Sequence, residues 1–174
     1  MAKRPFKTIN FLAFILALGL LLPARGAIPV EGATTKDWHA KSFWFVPWGK
    51  SGMHKGIDIF AAKGARVISS SYGLVIFTGN IDMGGNVVAV LGPKWRIHYY
   101  AHLQNINAKT WDLTGKGDII GSVGDSGNAK GKPAHLHYSV FSLVPYPWRY
   151  STDTQGWKKM FFMNPSEAFN RQHH

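Results

Sequence analysis

Between Gly56 and Val140 the chain is divided by glycine-containing turns into short runs rich in β-branched and aromatic residues, and this pattern constrains the fold more than any other feature. The runs are Arg66–Ser69, Gly73–Thr78, Asn86–Leu91, Arg96–Ala101, Ile119–Val123 and His137–Phe141, with turn signals such as Gly84-Gly85 and Gly124-Asp125-Ser126-Gly127 between them. Strand-length segments of this composition favour extended structure, because branched and aromatic side chains pack well on a pleated surface. No run keeps a helical period long enough to compete. The expectation is an all-β dominated domain built on a twisted antiparallel sheet.

The flanks read differently. Lys3, Arg4 and Lys7 precede an apolar run from Phe11 to Leu22, followed by Pro23-Ala24-Arg25-Gly26-Ala27. A basic start, a short apolar stretch and small residues at its end have the form of a secretory signal, here 1–27. The apolar run falls short of the roughly 20 residues that span a bilayer as a helix, and no later stretch is long enough. Stable membrane insertion after removal of the signal is therefore not expected, and the protein is placed outside the cell or in the periplasm. Residues 28–52 are irregular, with Trp38, Phe43, Trp44, Phe45 and Trp48 read as an aromatic lead-in packing onto the domain. The core domain is read as 53–141. Beyond it, 142–174 is rich in proline and aromatic residues and is excluded from a central strand where the prolines fall. Asn164-Pro165 is suited to open a short terminal helix, with Asn164 as cap, and His173 and His174 are read as a disordered tail.

The 174-residue chain has no cysteine, so no disulfide supports it and any zinc site must use histidine and carboxylate. The formal charge of +11 stays strongly positive when Lys3, Arg4, Lys7 and Arg25 leave with the signal. An exported cation meets anionic polymers, such as cell-wall glycan peptides, teichoic acids or lipopolysaccharide. Nucleic acid is not expected as a partner, because the chain has no compact Lys/Arg run and no base-reading motif.

Four of the eight histidines sit in patterned surroundings. In a strand, His135 and His137 project from one side and Leu136 from the other, which suits two imidazoles around one centre but also any half-exposed strand. His54 and Asp58 flank Gly56, which lets the backbone turn closely enough for both side chains to converge. Two histidines and a carboxylate leave a fourth position for water, as catalytic rather than closed structural zinc sites do. By the same alternation, His98, Tyr100 and His102 share one face. His98 and His39 are read as structural or surface residues, Tyr72, Tyr99, Tyr100 and Tyr138 as core and rim, and Lys130 and Lys132 as a solvated loop.

The order of these motifs is more specific than any one of them. His54-Lys-Gly-Ile-Asp58, Gly64-Ala-Arg-Val67, Gly84-Gly-Asn86, Tyr100-Ala-His102-Leu103, Gly117-Asp118-Ile-Ile120-Gly121, Gly124-Asp-Ser-Gly127 and His135-Leu-His137 follow one another as in lysostaphin-type (LytM-like) zinc metallo-endopeptidases. The chain resembles that family over Met53 to Val140. The resemblance implies a groove active site on one face of the sheet. It implies one Zn²⁺ bound by His54, Asp58 and His137, with His102 and His135 beside it as catalytic residues. It also implies hydrolysis of amide bonds in peptidoglycan by zinc-bound water assisted by those two histidines. Two other readings remain open: a non-catalytic wall-binding or hydrolase-activator protein, and an exported zinc protease acting on peptides. Ser139, at a position often acidic in relatives, and the long segment Ser142–Met163 depart from the family pattern. Both bear on substrate choice rather than on the ligands.

Overall fold

The computed structural model describes residues 5–24 and 26–170. Lys3, Arg4, Arg25, His173 and His174, on which part of the leader and tail readings rest, lie outside the described residues. A helix α1 (Pro5–Leu21) precedes nine strands: β1 (Ile57–Phe60), β2 (Arg66–Ile68), β3 (Gly73–Ile81), β4 (Gly85–Gly92), β5 (Arg96–Ile106), β6 (Leu113–Thr114), β7 (Ile119–Val123), β8 (His135–Ser142) and β9 (Phe162–Met163). A short helix α2 (Pro165–Asn170) closes the described chain. The strands form one sheet in the order β1-β8-β5-β4-β3-β6, with β7 joining β5 to β2 and β9 continuing beside β8. Pairing is antiparallel throughout, as the turn-punctuated sequence leads one to expect.

All six runs read from the sequence coincide with strands, several of them longer than the run, while Arg66–Ser69 ends one residue past β2. β1, β6 and β9, with two to four residues each, fall outside the runs read from the sequence. β9 pairs with Val140 and Phe141, next to the stretch of β8 that β1 occupies. The prolines of the C-terminal segment fall outside it. In α2, Asn164 accepts from the Ser166 N–H at 3.1 Å through its side-chain oxygen, so the cap forms as expected.

Alternation along the central strands separates core from cleft. Ile57 and Ile59 of β1, Tyr100 of β5, and Leu136 and Tyr138 of β8 are fully or almost fully buried on one face, with Val67, Val75, Val88, Leu103, Ile120 and Val123 around them. Burying each such aliphatic side chain stabilises the fold by roughly 1.5–3 kcal/mol relative to exposure, so this layer is the main source of stability. The lead-in and the C-terminal helix are pinned together, since the Trp38 indole N–H donates to Ser166 Oγ at 2.9 Å and the ring meets Phe169 edge-on.

His98 lies within this core layer, 7% exposed, its Nδ1 2.6 Å from the Tyr138 hydroxyl. Burial, helped by the positive charge of Arg96, pushes its pKa down from 6.5 to about 4. The unfolded chain therefore takes up a proton at His98 that the folded chain refuses. The resulting stability is intact above pH 6.5 and is lost as pH falls through about 4. We expect about 3 kcal/mol of acid destabilisation from this residue over that window. Urea unfolding of the wild type and His98→Gln at pH 7 and pH 4 checks this, because the variant should show a shallower pH dependence.

Candidate metal centre and cleft

Asp58 stands directly opposite His137 in the β1–β8 pairing, and Ala101 stands opposite His137 on the β5 side. Asp58 and His137 share the face away from the core, because each is flanked by residues that point inward. His54 approaches from the residues before β1. Its backbone exchanges bonds with the lead-in, Trp44 N–H to the His54 carbonyl at 2.7 Å and His54 N–H to the Phe45 carbonyl at 3.1 Å. Gly56 permits the turn between His54 and Asp58. A Cβ there would collide with the Tyr138 carbonyl and crowd the His137 ring, so this position needs glycine for close approach.

His102 reaches the cleft by a different device. Two residues of β5, Ala101 and His102, oppose the single residue Val87 of β4, because Tyr100 pairs with Val88 and Leu103 with Asn86. This β-bulge places His102 in the left-handed region at φ 63° and re-aims its side chain. The alternation that puts His98, Tyr100 and His102 on one face therefore fails at His102. His98 and Tyr100 point into the core, whereas His102 joins Tyr99 and Ala101 on the cleft wall. His135 and His137 do share a face, with Leu136 buried between them.

The donor atoms of His54, Asp58 and His137 form a close triangle. His54 Nε2 lies 3.1 Å from Asp58 Oδ1 and 3.1 Å from His137 Nδ1, and His137 Nδ1 lies 2.8 Å from Asp58 Oδ1. The His54 Nδ1–H donates to the Ser42 carbonyl at 2.8 Å, which leaves the lone pair of a neutral ring on Nε2, facing a carboxylate oxygen. Two acceptors that close are stable only with positive charge between them, as an extra proton or a metal ion. A tetrahedral zinc with bonds of about 2.0–2.1 Å has ligand–ligand edges of about 3.3 Å, close to the spacing here. The three residues fit a divalent metal, and the Ser42 carbonyl fixes the His54 tautomer whose Nε2 lone pair such an ion would need. Burial works to raise the Asp58 pKa, but the close approach of the His137 and His54 ring nitrogens outweighs it and holds the carboxyl well below the usual range.

His135 and His102 meet edge-to-face with ring centroids 5.0 Å apart, and His102 lies 6.0 Å from His137. Both commit Nδ1–H to a backbone carbonyl, His102 to Ser126 at 2.9 Å and His135 to Pro133 at 2.8 Å. Their Nε2 atoms are the ring nitrogens not engaged by these bonds. Burial pushes the His102 pKa down to about 4, reinforced by His137 and His135 and opposed by the Ser126 bond and Asp58. The cleft these residues line has a volume of about 620 Å³. Trp48 covers one side of it, stacked on His54 at a centroid distance of 4.0 Å. Lys55 and Lys132 stand at the rim. Burial and the like charge of Lys158 lower the Lys55 pKa.

Of the tyrosines considered from sequence, Tyr99 lines the cleft, Tyr100 and Tyr138 are core, and Tyr72 is exposed elsewhere. Sequence reasoning did not single out Trp48. Its place beside the reading frame of His54 becomes visible only once the Trp44–His54 and Phe45–His54 bonds fold the lead-in back over the motif.

A profile of peptidase family M23 matches residues 52–145, a span that contains His54, Asp58, His102, His135 and His137. The chain belongs to peptidase family M23. Among M23 relatives, the L-Ala–D-Glu endopeptidase of Bacillus subtilis (strain 168) is 34% identical over 155 residues, covering 79% of this chain and 47% of the relative. Among solved structures, the catalytic domain of lysostaphin from Staphylococcus simulans superposes with a TM-score of 0.54 at 30% identity, covering 57% of this chain and 76% of that one. A zinc containing peptidase from Vibrio cholerae superposes with a TM-score of 0.56 at 27% identity, covering 68% and 36%. The chain spans about half or less of the length of the curated relatives it matches. The lysostaphin-type resemblance and the sheet-dominated fold expected from the sequence both hold.

Proposed function

We propose that this protein is an exported zinc-dependent endopeptidase that hydrolyses amide bonds in the stem peptides or cross-links of peptidoglycan. The observation that carries this reading is the convergence of His54, Asp58 and His137 on one point, with His102 and His135 beside it in a single cleft. His54, Asp58 and His137 are assigned as metal ligands, and His102 and His135 as catalytic residues. Relatives named as an L-Ala–D-Glu endopeptidase and as lysostaphin support the substrate class. Zinc, when bound, acidifies a coordinated water and polarises a carbonyl. His102 and His135, whose Nδ1 protons are taken by backbone carbonyls, present Nε2 to the reacting groups. Between them they accept the proton of the attacking water, hydrogen-bond the oxygen that becomes negative, and return a proton to the leaving amine.

Residues 1–27 are assigned as a secretory signal, 28–52 as the lead-in, 53–141 as the catalytic core and 142–174 as an extension. No helix among the described residues is long and apolar enough to cross a membrane. The Trp95 indole N–H donates to the Leu16 carbonyl of α1 at 2.9 Å, a contact that would belong to the precursor alone. The positive charge of the remainder favours retention at anionic wall polymers outside the cytoplasm.

The test is zinc content together with release of new amino groups from purified peptidoglycan by the protein without residues 1–27. About one zinc per chain with amine release is expected. Zinc without release from any wall type would favour a wall-binding or activator protein. Cleavage of glycine-rich peptides but not wall would favour an exported peptide protease.

A further inference from the structure

The C-terminal segment 142–163 is not needed to build the metal centre, yet it is rigidly constructed. Arg149 donates through Nε to the Lys159 carbonyl at 3.2 Å and through Nη2 to the Phe162 carbonyl at 3.3 Å. Phe141 stacks on Phe161, and Trp157 meets Phe161 edge-on. Its tip reaches the lead-in beside the cleft, where Gln155 Nε2 donates to the Ser51 carbonyl at 3.2 Å.

That contact brings two ammonium groups onto one bridge. Lys55 Nζ lies 3.5 Å from the same Ser51 carbonyl, and Lys158 Nζ donates to Gln155 Oε1 at 2.9 Å. Lys55 lines the cleft directly after the ligand His54. Other cations of the chain form ion pairs: Lys159 with Asp153, Lys63 with Asp125 and Arg66 with Glu31. Among the described residues no carboxylate forms an ion pair with Lys55 or Lys158. Two ammonium groups thus share one bridge beside the cleft, with neutral oxygens and, for Lys158, the face of Trp157 at 5.5 Å as their partners. Such an arrangement is costly alone and becomes favourable when an anion lies between them.

We propose that Lys55 and Lys158, joined through Ser51 and Gln155, form a subsite that binds a carboxylate of the peptide substrate at the end of the cleft bearing the C-terminal segment. This rests on the endopeptidase reading and adds a determinant of substrate choice: peptides with a free carboxylate at that position are preferred over the same peptides with the carboxylate as an amide. Lys158, outside the metal's surroundings, is the residue to vary.

The experiment compares kcat/KM of the zinc-loaded protein on soluble cross-linked muropeptides with free carboxylates and on the same preparation after amidation. The expected preference is roughly 5- to 10-fold for the free carboxylates, carried in KM, as for a charge-assisted contact at a partly exposed site. Lys158→Met should bring the ratio close to one, whereas Lys158→Arg and the distant Lys116→Met keep it. Equal cleavage of both preparations by the wild type, or a ratio unchanged in Lys158→Met, overturns the subsite while leaving the endopeptidase reading intact. If neither preparation is cut, that reading fails, and calorimetric binding of the two preparations decides the subsite. A preference abolished by Lys158→Met sustains it, and equal affinities overturn it.

Discussion

His137→Ala is expected to empty the metal centre and stop hydrolysis in a single step, while leaving the sheet folded. His137 Nδ1 completes the donor triangle, 2.8 Å from Asp58 Oδ1 and 3.1 Å from His54 Nε2. Without it, His54 and Asp58 offer two ligands where a catalytic zinc site has three protein ligands and an open position. Loss of an outer-shell partner alone costs about 10- to 100-fold in metal affinity, so loss of a ligand should cost at least on the order of 100-fold. The fold should survive because the neighbours of His137, Leu136 and Tyr138, carry the packing on the opposite face and are untouched. Zinc per chain by elemental analysis, amine release from wall, and circular dichroism measured together decide the point. A His137→Ala protein that retains a full zinc complement would remove His137 from the ligand set.

His135→Ala should separate metal binding from turnover. The residue lies outside the donor triangle, donates Nδ1–H to the Pro133 carbonyl and meets His102 edge-to-face. Removing a positioned acid–base group typically costs on the order of 10²- to 10⁴-fold in rate, so the variant should hold about one zinc and turn over at least ~100-fold more slowly. His102→Ala should resemble it. If the two imidazoles act as one unit on the same proton path, the double variant should be little slower than either single one. Zinc loss in His135→Ala would show that His135 takes part in holding the metal, and additive losses in the double variant would show that the two residues have separate tasks.

The architecture was largely legible because its signals are local. Branched and aromatic runs between glycine turns announce antiparallel strands, and the alternation around Leu136 places His135 and His137 on one face without knowledge of the partner strands. The ordered motifs pointed to the family that the profile match then showed. β1, β6 and β9 were missed, and each is held extended by the neighbour it pairs with: β8, β3 and β8.

The same local rule misplaced His102. Period-two alternation holds only while pairing stays in register, and the extra residue opposite Val87 breaks that register between Tyr100 and Leu103. A bulge belongs to two strands at once, so neither segment announces it alone. Trp48 over His54, and Lys158 beside Lys55, likewise depend on contacts between segments far apart in the chain, through the lead-in folding back on His54 and Gln155 reaching Ser51. The sequence by itself determined most of the strands, the family and the residue types that can hold a metal. Tertiary structure decided which face His102 takes and which cations border the cleft, because both are set by long-range pairing rather than by the residues' own periodicity.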